Sequence, residues 1–446
     1  MIKFLLILLL SIQVNALKIP NPTLSASLQE QKRGNEFLQI IWDTGLIIAD
    51  IEAQVYLKTL GYELAEYSEN PKKHFGFFLL DDSSINAFAG AYGYIGVHTG
   101  MLLSSESEAE LAGVLSHEIA HVTQNHLLRF DDKTSNQTYI MLAGMLAAAL
   151  TGNSNASQAI VSSTLAATAQ QSINFTREHE WEADRAGTNA LIKSGFDPEG
   201  LGHFFEKLKD SANAQEFLRS HPLSINRIAD SMQRASRIDG VYRQDSFAYK
   251  TIKARLYYLK NGRIKFEQDQ NQEQDLALYM QAYNAFESQN YPVAEEFVAQ
   301  LLVLNSSASS YLLAGRIYAK LGKIEKAQQY FSKISKNEAA IYYEAQAYLD
   351  NNQVQKAVSL LKRYLRRNQG DYLSHKLLSA VYVDAGSIDR AHIENAKALI
   401  RQGKLESAIA QYQRAQAVTH SQDLFDIISV NIERLEDKID LYKQLL

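Results

Sequence analysis

The chain contains no cysteine. That excludes disulfides, thiolate metal ligands, thiol nucleophiles and a lipid-modified N-terminal cysteine together. Proline is scarce as well, since six in 446 residues is about 1.3% against a usual ~5%. So few helix breakers favour a mostly α fold. There is no basic excess: the net charge is −5, and no nucleic acid partner is expected. Also missing is any apolar span of 18 residues, which speaks against an integral-membrane enzyme. What is present is ordinary for a globular protein, with 46% hydrophobic and 21% charged residues. The length suggests about three folded units.

The N-terminus reads as a targeting segment. Lys3 precedes the apolar run Phe4–Leu10, and Val14-Asn15-Ala16 places small residues for cleavage before Leu17. This is the layout of a secretory signal peptide over residues 1–16. The run is too short to cross ~30 Å of hydrocarbon, so a cleaved signal is expected rather than an anchor. Export without cysteine suits a bacterial periplasm, and the mature protein is not expected to be a lipoprotein. Asn136, Asn155, Asn174 and Asn305 lie in glycosylation sequons. Asn174 stands near a candidate functional segment, where a glycan would be awkward, and this adds to the bacterial reading.

Residues 17–245 mix helical and strand-like stretches. Residues 246–275 read as a connecting helix and then a polar spacer, Glu267–Gln274. Residues 276–446 are helical throughout and repetitive. Alanines 294, 327, 357 and 391 are separated by 33, 30 and 34 residues. Each follows a small residue by 12 positions: Ala282, Gly315, Ala345 and Ser379. Tyr318, Tyr348 and Tyr382 lie three residues beyond the last three of these, and a further unit runs through Ala396, Gly403, Ala408 and Tyr412. Small residues at this spacing let antiparallel helices touch. The pattern resembles the 34-residue tetratricopeptide repeat, a solenoid whose concave face binds peptides or proteins.

His117-Glu118-Ile119-Ala120-His121 has the form HExxH. A chance match in a chain of this composition has a probability of about 2%. Ser105-Glu106-Ser107-Glu108 reads as a capping box, and no proline follows it up to Leu128. Leu111, Leu115, Ile119 and Val122 share one stripe of that helix, the expected buried face. His117 and His121 are about 40° apart on another face and could each give a nitrogen to one metal ion at about 2.0–2.1 Å. Glu118 flanks the pair, within reach of a water held there but not itself a ligand. His126 would lie about 160° round the helix from the pair, so the geometry rejects it as a third ligand.

Catalytic zinc needs a third protein ligand and an open position. The best candidate segment is Glu178–Asp184, where Glu180 and Asp184 share a helix face. Glu180 could bind the metal while Asp184 accepts a hydrogen bond from a ligating imidazole. Spacing alone leaves a solvated acidic face as an equal alternative.

HExxH followed by a helix reading Glu-x-x-Ala-Asp resembles the HtpX-like and CAAX-prenyl-protease-like zinc metallopeptidases, which are gluzincins. The match runs from Asn86-Ala87-Phe88-Ala89, through the zinc helix, to Ser220-His221-Pro222-Leu223 with Arg227. With its signal peptide and repeats, nearly the whole chain is similar to periplasmic, repeat-bearing members. One departure is Gly90-Ala91-Tyr92-Gly93, where many relatives read Pro-Gly-Gly. The resemblance implies one zinc ion per chain, ligated by His117, His121 and Glu180. It makes Glu118 the general base and sets Asp184 behind a ligand. His221 or Arg227 would face the oxyanion that forms during hydrolysis. His221 has a second possible role: on the zinc's fourth position it would keep the enzyme latent until its loop moved.

The expected fold is therefore mostly α: an α+β metallopeptidase domain with a small edge-stranded sheet, then an α-solenoid. Tyr94–Thr99 reads as a strand; the residues alone leave an ordinary core strand as an equal alternative, and the resemblance implies an edge strand that holds a substrate backbone by β-addition. Residues 139–169 read as an apolar hairpin, either a lid, a peripheral membrane contact or core. The implied function is a zinc endopeptidase for envelope quality control, acting on misassembled outer-membrane proteins. Its repeats would dock substrates or the outer-membrane assembly machinery. The competing reading is a periplasmic chaperone with a largely latent zinc site. The intact Glu118 favours the enzyme, because a structural site has no use for a general base.

Overall fold

Ser107 starts the central helix. Its side chain accepts a hydrogen bond from Glu110 N at 3.2 Å, and the Glu110 carboxylate accepts one from Glu106 N at 2.7 Å. The resulting helix, α4, spans Glu108–Thr123. The sequence suggested that it continues to Leu128. It stops earlier because Asn125 takes φ 55°, a left-handed conformation that asparagine tolerates, and the chain turns. In this computed structural model the described residues are 22–127, 129, 166–208, 214, 217–218, 221–222, 225–236, 240–262, 274–368 and 372–445. The expected signal peptide 1–16, the apolar stretch 139–165 and the spacer 263–273 lie outside them.

Leu111, Leu115 and Ile119 are buried as the stripe requires, but His117 and Glu118 are buried too. The reason is that α4 is packed on several sides. Before it come α1 (Pro22–Asp43), α2 (Ile51–Glu66), three strands and the short α3 (Thr99–Ser104). After it come α5 (Ala166–Lys193), α6 (Gly200–Leu208) and α7 (Ile225–Ala235). α2, α5 and α6 all pack on α4.

The strands are β1 (Gly76–Leu80), β2 (Ala87–Ala89) and β3 (Tyr94–His98), in the order β1-β3-β2. β1 pairs parallel with β3, with Gly76 opposite Tyr94, and β2 pairs antiparallel, with Ala87 opposite Val97. This corrects the expectation for Tyr94–His98, which is the central strand and not an edge. The segment Gly90–Gly93 is the cause. Gly90 N donates to Tyr94 O at 2.7 Å, and Tyr92 and Gly93 take φ 60° and 77°. That tight turn folds β2 back onto β3, so β2 becomes the outer strand. A Cβ at Gly93 would lie 1.9 Å from His74 O.

α8 (Phe247–Asn261) links to the solenoid, capped by Ser246, whose side chain accepts from Tyr249 N. The solenoid is built from the hairpins α9 (Gln274–Glu287)–α10 (Tyr291–Leu304), α11 (Ala308–Lys320)–α12 (Ile324–Lys333), α13 (Glu338–Asp350)–α14 (Val354–Leu365) and α15 (Tyr372–Asp384)–α16 (Ile388–Arg401). α17 (Leu405–Val418) and α18 (Gln422–Gln444) complete it. The small residues meet where the spacing placed them: Ala282, Ala294, Ala345 and Ala357 are fully buried, and Ser379 Oγ donates to Ala391 O at 2.8 Å. Tyr318, Tyr348 and Tyr382 are buried between neighbouring hairpins.

The repeats also pack on the N-terminal lobe. Glu52 of α2 pairs with Arg255 at 2.6 Å and with Arg316 at 2.8 Å, and Lys58 pairs with Glu338 at 2.5 Å. At the far end, Asn35 of α1 donates to Gly403 O at 2.8 Å and Trp42 packs on Tyr372. No described helix is long and apolar enough to cross a membrane.

Candidate metal centre

α4 supplies His117, Glu118 and His121. α5 crosses it and supplies Glu180 and, one turn on, Asp184. The crossing is close: a Cβ at Gly187 would lie 2.9 Å from His117 N. His221 comes from the loop before α7, and Arg227 from its first turns. His221 is held by its backbone N–H, which donates to Phe217 O at 2.8 Å, and by its ring stacked 4.6 Å from that of Phe217.

Four side chains converge. His117, His121, Glu180 and His221 each turn one ligand atom toward a common point, and these atoms lie within 4.8 Å of one another. His117 Nε2 is 3.0 Å from His121 Nε2 and 3.2 Å from His221 Nδ1. Glu180 Oε2 is 3.4 Å from His117 Nε2, and Oε1 is 3.4 Å from His121 Nε2. His221 Nδ1 is 3.2 Å from both Glu180 oxygens. A tetrahedral zinc site with bonds of 2.0–2.1 Å has edges of about 3.3 Å. Three imidazole nitrogens crowded round a carboxylate at those separations suit a divalent cation, so the residues fit zinc.

Glu118 is buried, and neither carboxylate oxygen has a hydrogen-bond partner. Its Oε1 lies 3.3 Å from His221 Nε2. A carboxylate left without hydrogen bonds in the interior is costly, and such groups concentrate where chemistry uses them.

Behind the donors lies a second tier. Asp184 Oδ1 is 3.0 Å from His117 Nδ1, although not aligned for a good hydrogen bond. Arg227 clasps Asp184 with Nε to Oδ2 at 2.7 Å and Nη2 to Oδ1 at 2.8 Å. Its Nη1 reaches Glu180 Oε2 at 2.8 Å and donates to Pro222 O at 3.0 Å. Arg227 is thus turned to the acidic pair on α5.

The electrostatics follow from these contacts. Burial pushes the His117 imidazole down, but Asp184 and Glu180 more than reverse this and carry it up to about 10. Burial lowers His121. Burial would raise Glu180, but the imidazoles of His221, His117 and His121 hold its carboxyl well below the usual range. Asp184 is held down likewise, against burial, by Arg227 and His117.

The turn after α4 brings His126 back to His121, so the helical projection that set it on the apolar stripe does not apply. Its Nδ1 lies 2.9 Å from His121 Nδ1, and its ring stacks on His179 at 4.1 Å. Glu182 and Arg129 join it and had no signal of their own in the sequence.

Peptidase family M48 matches residues 52–235, and a tetratricopeptide repeat matches residues 308–340. A β-barrel assembly-enhancing protease of Escherichia coli O157:H7 is 31% identical over 440 residues, covering 94% of this chain and 88% of that protein. One from Yersinia pestis is 28% identical over 445 residues, covering 93% and 90%. Metalloprotease YcaL of Escherichia coli K12 is 32% identical over 149 residues, covering 32% and 56%.

Proposed function

Because the chain belongs to the family of the β-barrel assembly-enhancing proteases and is a metalloendopeptidase, we propose that it cleaves misassembled outer-membrane proteins in the periplasm, using one zinc ion held by His117, His121 and Glu180. The observation that carries this reading is the convergence of three donors at tetrahedral spacing beside the buried Glu118, whose carboxylate accepts no hydrogen bond. Bound zinc would lower the pKa of a water towards ~7 and polarise the scissile carbonyl. Glu118 takes the proton of the attacking water and passes it to the leaving amine. Asp184 orients His117, and Arg227 holds Asp184 and Glu180 in place. The substrate backbone adds to the outer edge of β2, which has no further strand beside it among the described residues. The repeats, which begin beyond a division near residue 245, dock substrates or the assembly machinery.

His221 completes the proposal. With Nδ1 among the ligand atoms and Nε2 toward Glu118, it takes the position an attacking water needs. We read this as the latent arrangement, relieved when the loop before α7 moves. Movement of the ring would then leave it near enough to face the oxyanion.

The test is zinc content together with casein proteolysis. Glu118→Gln should keep zinc and lose cleavage by at least a hundredfold. His221→Ala should raise cleavage above wild type. A His221→Ala protein that keeps zinc but loses activity would end the latency reading. Absence of zinc from wild type would end the peptidase assignment of the site.

A further inference from the structure

His117 and His121 sit one turn apart on the same helix, yet their outer ring nitrogens meet different partners. His117 Nδ1 faces the carboxylate of Asp184, itself gripped by Arg227. His121 Nδ1 instead lies 2.9 Å from Nδ1 of His126. His126 Nε2 is 3.0 Å from Glu182 Oε2, and Arg129 Nη1 donates to that same oxygen at 2.5 Å. His179 lies flat against the His126 ring, with an angle of 9° between planes.

We propose that His126 and Glu182 are positioning residues for the hydrolysis, a relay that fixes the tautomer and ring angle of His121. The proposal rests on the reading of His121 as a zinc ligand. A ligating imidazole that gives its Nε2 lone pair to a metal carries its proton on Nδ1. That N–H then donates to His126 Nδ1, which must offer a lone pair. The His126 proton is therefore on Nε2 and is donated to Glu182. One choice at His121 settles every link as far as Arg129, whose side chain is 41% exposed.

The turn after α4 builds this relay. In a continued helix, five residues would carry His126 about 140° away from His121. Asn125, with φ 55°, ends the helix and returns His126 to the ligand. The two ligating histidines are consequently held unequally. His117 faces a carboxylate, while His121 depends on a neutral imidazole to hold its ring.

The experiment measures zinc affinity by competition with a chromogenic chelator in the full chain, with the visible spectrum of the cobalt-substituted protein as a second readout. His126→Leu should weaken zinc ten- to a hundredfold and shift the cobalt bands. His126→Gln should restore most of the affinity, because its amide can accept from His121 and donate to Glu182. Glu182→Gln alters a partly exposed side chain, 34% accessible, and should fold normally with an intermediate loss. Wild-type affinity in both His126→Leu and Glu182→Gln overturns the relay. So does an equal loss in His126→Leu and His126→Gln, which would mean packing alone. Should wild type itself bind no zinc, the metal reading fails first and the relay falls with it.

Discussion

Replacing Gly187 by alanine should damage the metal centre through the close contact of α5 with α4. The new Cβ would lie 2.9 Å from His117 N, 3.0 Å from His117 Cα and 3.0 Å from the Ser116 carbonyl carbon. All three are backbone atoms, so no side chain can swing aside. Ordinary carbon contacts begin near 3.5 Å, and α5 must therefore retreat by about half an ångström. Two energies oppose each other. Alanine in a helix interior is favoured over glycine by about 1 kcal/mol, whereas overpacking costs typically 1–3 kcal/mol. The net is roughly 0 to 2 kcal/mol of destabilisation, a small change in melting temperature. The site is far more sensitive, because Glu180 lies two turns back on the same face of α5 and such ligands must be held to within about 0.5 Å. Displacements of this order can cost up to a hundredfold in rate. Proteolysis of casein, zinc affinity and thermal melting should be followed together. The expectation is a ten- to hundredfold loss of kcat/KM with weakened zinc and a nearly unchanged melt. Full activity with wild-type zinc affinity would refute the claim that this contact sets the Glu180 position.

Arg227→Met should strip Asp184 and Glu180 of their buried cation and cost about 3–5 kcal/mol, read from urea unfolding. A loss below 1 kcal/mol would show that the histidines alone balance these carboxylates. In the solenoid, Glu394 accepts from His375 at 2.6 Å and pairs with Lys397 at 2.8 Å. Burial would raise its pKa, but these partners hold it below the usual carboxylate value. Its stabilising contribution is therefore complete above the unfolded value near 4.5 and is lost as pH falls through the lower folded one. Melting temperatures of wild type and Glu394→Gln should accordingly differ at pH 7 and converge on acidification. A gap that stays constant with pH would contradict this.

The features legible in the sequence are those carried by local periodicity. HExxH places two imidazoles one turn apart whatever surrounds them, and alanines 30 to 34 residues apart mark helix hairpins by close packing. What was not legible depends on contacts distant in sequence or on one backbone angle. Tyr94–His98 looks the same as an edge or a central strand. Its place was decided by a parallel partner 18 residues earlier and by the turn at Tyr92 and Gly93. The end of α4 hangs on the single φ of Asn125, and with it the neighbours of His126. Arg227 read as a possible oxyanion donor because no spacing rule reveals that Asp184 and Glu180 claim its nitrogens.

A stack of helical hairpins left to itself unravels from its tips, since each terminal unit has a neighbour on one side only. Here neither tip is at liberty. Glu52 ties down the early repeats, and the helix that opens the described chain fastens the late ones through Asn35 and Trp42. The solenoid is held like a bowstring at two points on the body, so loosening either attachment should be felt in both.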